Sequence, residues 1–162
     1  MAAMSELTAY HEAGHALMAL LLGGEVRLVT IEPDRDDGPA RFGDTQVLWR
    51  RGRDGERQFA AKAVQVCLAG PVAEMIYSGE PFHPGFVPEW AGDWRDAWSV
   101  AATLHPDERK RLAFLEQTCM RLHQVLRAEN TWAALADLAD NLLAHETLEW
   151  EQVEEIVGQW LG

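Results

Sequence analysis

Apolar positions recur at spacings of three and four through most of the chain, the signature of helices that bury one face. The clearest stripe is Leu112, Leu115, Cys119, Leu122 and Leu126, followed by Trp132, Leu135, Leu138 and Leu142, and then by Val153, Ile156, Val157 and Trp160. These predict a C-terminal helical bundle. Pro106 suits a first helical position, with Asp107 and Glu108 in the first turn, and Asn130 suits the cap of the next helix. At the other end, Ser5 is a candidate cap for a helix that runs to about Leu22, where Gly23 and Gly24 stop it. Residues 25–32 (EVRLVTIE) are rich in β-branched side chains and read as a strand. A turn-rich loop over 33–43 follows, then a short second strand that includes Val47, Leu48 and Trp49. Residues 56–77 read as a second long helix with Phe59, Val64, Cys67 and Leu68 among its apolar positions. Gly70-Pro71 is expected to kink or split it. Residues 78–88 read as a loop, with helix expected to resume near Asp93 and continue past Val100. The expected fold class is α+β, mostly α-helical, with a small sheet of two or three strands.

Composition narrows the class. The chain has 162 residues, 48% of them hydrophobic and 25% charged, which suits one globular domain spanning 1–162 with a core of its own. A formal charge of −12 disfavours nucleic acid and anionic lipid as partners. Cys67 and Cys119 lie inside apolar helical patterns and read as buried free thiols of a reducing cytosol. No signal peptide opens the sequence, and the apolar stretch 13–22 is interrupted by His15 and too short for a bilayer. The expected localisation is therefore cytoplasmic, with no membrane anchor in this chain.

Candidate chemistry concentrates in residues 11–15, His-Glu-Ala-Gly-His. Residues four apart share a helix face, so His11 and His15 can reach one ion. Two imidazoles and one carboxylate suit zinc and leave a fourth position for water. Glu12, one residue aside, is placed to act as general base on that water. Local spacing does not single out a third ligand: Glu74, His83, Glu89, Asp93 and Asp96 are all candidates. Asp93 and Asp96 also suit a helix start, as cap and first-turn carboxylate.

These pieces, in order, resemble the peptidase domain of the FtsH-type ATP-dependent zinc proteases. YHEAGHALMAL (10–20) matches the zinc helix and RLVTIEP (27–33) the strand after it. AGPVAEMIYSG (69–79) resembles the Gly-rich helix, GDWRDAWSVAA (92–102) the segment with the aspartate ligand, and HETLEWEQVEEIV (145–157) the closing helix. The resemblance implies a zincin-like active-site helix, with His11, His15 and Asp96 as zinc ligands and Glu12 as catalytic base. It puts Asp93 at the cap and Glu74 behind a ligand, with Glu74 the next choice as ligand after Asp96. It also implies a peptide or unfolded protein as substrate. The family's nucleotide-binding loop and membrane segment are not found, so the expectation is a stand-alone peptidase. A homo-oligomer, or an unfoldase partner supplied in trans, is left open.

The remaining features fit bland roles more readily. Trp90, Trp94 and Trp98 form an indole stripe that suits core packing, or else an interface. Arg50, Arg51, Arg53 and Arg57 make a basic cluster that reads as a solvated loop and helix start. His83 and His123 read as surface or satisfied core residues. The alternative to a peptidase is a non-catalytic helical module, metal-stabilised or metal-free, that binds a partner through its tryptophans. Glu12 counts against it, since a structural site needs no base and closes with a fourth ligand. A zinc enzyme acting on another bond would use the same residues.

Overall fold

The computed structural model describes residues 4–32, 43–49, 55–79 and 90–162. In chain order they form α1 (Met4–Leu21), β1 (Glu25–Thr30), β2 (Asp44–Leu48), α2 (Glu56–Ser78), α3 (Ala91–Ala101), α4 (Glu108–Leu126), α5 (Glu129–His145), β3 (Thr147–Glu149) and α6 (Trp150–Leu161). The expected mostly helical α+β class holds. The expected arginines 50, 51 and 53, together with His83 and Glu89, lie outside the described residues.

Helix α1 is central. It packs on α2 and α5, and its Ala9, Ala13, Ala16 and Leu17 are fully buried. The small residues on this face let helix axes approach closely: a Cβ on Gly14 would come within 2.6 Å of the Ala69 carbonyl oxygen. Tyr10 ties the same helix to both neighbours, edge-on to Tyr77 of α2 and stacked on Trp132 of α5.

Of the two outcomes expected at Gly70-Pro71, a split does not occur: α2 runs as one helix through Pro71. Proline removes one backbone donor and crowds the preceding turn. Here residues 68–73 are all buried in the fold, so tertiary packing outweighs that local cost. α2 also has the length and apolarity of a membrane span, and its buried stretch gives that apolarity a place in the core.

The sheet is antiparallel in the order β2-β1-β3. Val26 and Val29 are both buried although three residues apart, a spacing that puts side chains on opposite faces of a regular strand. The register shift between Val26 and Leu28 resolves this, since the exposed Arg27 is the extra residue. Val47 then pairs with Val26 and Thr45 with Val29, so both β2 residues share the inward face. The third strand was expected as helix: Thr147–Glu149 lies within the segment read as a closing helix, and pairs instead with β1.

Helix starts differ in detail. Asp107 is the cap of α4 and accepts a hydrogen bond from the Lys110 amide, so Pro106 precedes the helix. Ala128, not Asn130, occupies the cap position of α5. The cap of α6 is Glu149, in a reciprocal box with Gln152.

Candidate metal centre

His11 and His15 lie one turn apart on α1, with rings 4.7 Å apart between centroids and side chains only 12% and 11% exposed. The His15 Nδ1 donates to the Val66 carbonyl at 2.6 Å. Because a carbonyl only accepts, the proton sits on Nδ1 and the opposite nitrogen, Nε2, faces the site. His11 Nδ1 lies 3.1 Å from Glu74 Oε1, near enough for an ion pair but off the line of a hydrogen bond. The other Glu74 oxygen accepts from the Trp90 indole N–H at 2.5 Å. Glu74 thus stands behind His11.

The two Nε2 atoms converge on one carboxylate. Asp93 Oδ2 is 2.7 Å from His11 Nε2 and 3.5 Å from His15 Nε2. Donor atoms around a tetrahedral zinc stand roughly 3.3 Å apart, given ligand bonds of about 2.0–2.1 Å. Asp96, expected in this place, does not reach it and is exposed. The reason is helical phase. Ala97 and Ala101 continue the inward stripe of Asp93 at intervals of four, and both are fully buried. Asp96 is rotated about 100° from Ala97 and points out. Nor does Asp93 cap α3, whose cap position is Trp90. The sequence held a signal: Asp93, Ala97 and Ala101 recur at intervals of four, which puts this aspartate on the helix face of the small apolar residues.

Glu12 is 6% exposed, and its carboxylate comes within 4.8 Å of the donor atoms of His11 and His15. Thr45 donates its hydroxyl to Glu12 Oε1 at 2.7 Å. Facing the imidazoles from α2 is Gly70, where a Cβ would overlap the His15 ring and come within 2.9 Å of His11 Nε2.

Charge at the site follows from this crowding. Burial by itself lowers the pKa of His11, but Asp93 and Glu74, with Glu12 behind them, reverse the effect and raise it to about 10. His15 is likewise raised, with burial opposing and Asp93 prevailing. Burial pushes Asp93 up, and the two histidines overcome it to hold the carboxyl well below its usual range. The carboxylates around the histidines thus favour positive charge at the place where a cation fits. A buried donor set of two imidazoles and a carboxylate, with a glycine leaving room beside it, suits a zinc-sized divalent ion.

The other candidates play supporting parts. Trp90 is 4% exposed, Trp94 and Trp98 pack against the core, and Arg111 lies over the Trp98 ring at 4.6 Å. The indole stripe is thus packed. Cys67 and Cys119 are free thiols, pushed up to about 12 chiefly by burial. His123 sits in the last turn of α4, where a cation suits the helix end. Thr45 and Trp90 were missed as site residues by sequence reasoning.

No family model matches the chain. Over 77 residues it is 47% identical to the ATP-dependent zinc metalloprotease FtsH 4 of Sorangium cellulosum (strain So ce56), a stretch that takes in 45% of this chain and 11% of that protein. Sequence and geometry together support a region related to FtsH-type zinc metalloproteases.

Proposed function

We propose that the chain is a zinc-dependent metallopeptidase that hydrolyses peptide bonds, with His11, His15 and Asp93 as the metal ligands and Glu12 as general base. The observation that carries this reading is the convergence of two histidine Nε2 atoms and one Asp93 oxygen beside a buried glutamate.

Bound zinc would supply Lewis acidity, which activates water near neutral pH and polarises the scissile carbonyl. His15 is held for this by the Val66 carbonyl, and His11 by the Glu74 carboxylate behind it. Glu12, fixed on the same helix between the two, accepts the proton of the attacking water and passes it to the leaving amine. The low exposure of all three side chains keeps bulk water from competing for these protons. The substrate is a peptide, a loose terminus or an unfolded chain. The cytoplasm is the proposed location.

The test is zinc content and cleavage of casein by the purified protein, beside Glu12→Gln. One zinc per chain, with hydrolysis that falls at least a hundred-fold in the variant while zinc is retained, supports the reading. Zinc binding without hydrolysis of any peptide substrate removes the peptidase assignment and leaves a metal-binding protein.

A further inference from the structure

Thr45 lies half-buried on the inner side of the sheet. It shares the inward face of β2 with Val47 and pairs across the sheet with Val29, which is 1% exposed. A hydroxyl there needs a partner, because an unpaired polar group in such a position is costly. It finds Glu12, donating to Oε1 at 2.7 Å, with the Glu12 backbone carbonyl further off at 3.3 Å. The shorter distance is that of a well-formed O–H···O hydrogen bond.

A second observation points the same way. The backbone two residues earlier lies against the stem of Glu12, where a Cβ on Gly43 would come within 2.8 Å of Glu12 Cγ and 3.0 Å of Thr8 Cγ2. The segment that enters β2 thus meets the stem of the glutamate at Gly43, and β2 itself meets its head at Thr45. Helix α1 alone fixes only where the Glu12 side chain begins. Its remaining torsions are held by Gly43 and Thr45, at the start of the edge strand β2.

We propose that Thr45 is the positioning residue for Glu12: its hydroxyl holds one carboxylate oxygen so that the side chain stays in the orientation needed to take a proton from water. This rests on the peptidase reading above. Freed of that bond, Glu12 spends less time in the productive orientation, and small displacements of a base cost rate steeply. Because the hydroxyl is engaged with Glu12, the loss is expected in kcat and not in KM.

Four variants and two readouts test it. Thr45→Val keeps the branched shape and removes the hydroxyl, whereas Thr45→Ser keeps the hydroxyl. Expected for Thr45→Val is a ten- to hundred-fold fall in kcat on casein-derived peptides, with KM and zinc content unchanged and Thr45→Ser within about three-fold of the parent. A kcat for Thr45→Val within three-fold of the parent overturns the proposal, as does an equal loss in Thr45→Ser. The second readout needs no activity. Unfolding of the metal-free parent, Thr45→Val, Glu12→Ala and the double variant forms a cycle, and an interaction of about ten-fold or more in the unfolding constant is expected. If the parent binds zinc yet cleaves nothing, the peptidase reading fails by itself. The cycle then decides whether Thr45 holds Glu12, and additive losses overturn it.

Discussion

Asp93 and Asp96 stand one helical turn apart and share a side-chain type, yet their surroundings assign them different work. Asp93 is 24% exposed and lies against both histidines, while Asp96 is exposed. Asp93→Asn keeps the shape and one oxygen but loses the charge that offsets a divalent ion. Its zinc affinity is expected to fall a hundred-fold or more, by analogy with larger losses for ligands than for the groups behind them. Asp96→Asn is expected to stay within about three-fold, since a screened surface charge contributes little. Titration with a competing chelator reads both. Equal losses, or a larger loss in Asp96→Asn, would return the ligand role to Asp96. His11, Glu12 and His15 were legible in sequence because their spacing is local to one helix. The third carboxylate depends on how α3 is phased against α1, which spacing alone does not state. Thr45 was illegible for a related reason: its partnership with Glu12 joins β2 to α1 across 33 residues, which no local pattern states.

At the scale of elements, the crossing of α1 and α2 decides whether there is room for a metal. The missing side chain of Gly70 leaves the two imidazoles unobstructed, and that of Gly14 lets the helices approach. Gly70→Ala places a methyl group into the His15 ring, so either the ring turns or the helices part. Lost zinc binding and a lowered melting temperature are both expected. Gly158→Ala in α6 is the matched contrast, because nothing lies within 4 Å of its added Cβ. There the helix preference for alanine stabilises the chain by up to about 1 kcal/mol. Thermal melts with and without zinc compare them, and a Gly70→Ala protein that binds zinc as the parent does would remove the steric argument. Helices α4 and α5 were readable from their stripes because those stripes are long. Strand β3 was not, since its three residues have no pattern of their own and become a strand only by pairing with the distant β1.

For the molecule as a whole, the site links folding to protons and metal in opposite directions. His11 faces Asp93 from α3, Glu74 from α2, and Glu12 and His15 on its own helix, and its pKa rises from 6.5 to about 10. A raised histidine adds stability that is complete below pH 6.5 and is lost as pH climbs through about 10. Asp93 is depressed from 3.8, so its share is complete above that value and is lost as pH falls through the lower one. From this pair, the metal-free chain is most stable between about pH 4 and 6.5. Its melting temperature is expected to decline by several degrees from pH 6 to 9. Zinc reverses the slope, because the histidines must shed their protons to bind it, and affinity therefore rises with pH. The gain in melting temperature on adding zinc should grow steadily over the same range. Scanning calorimetry at a series of pH values, with chelator or with zinc, reads both slopes in one experiment. A metal-free melting temperature that holds level from pH 6 to 9 would mean that the histidines are not held as cations by these carboxylates. A zinc-dependent gain that does not grow with pH would mean that the ion binds elsewhere, away from His11 and His15.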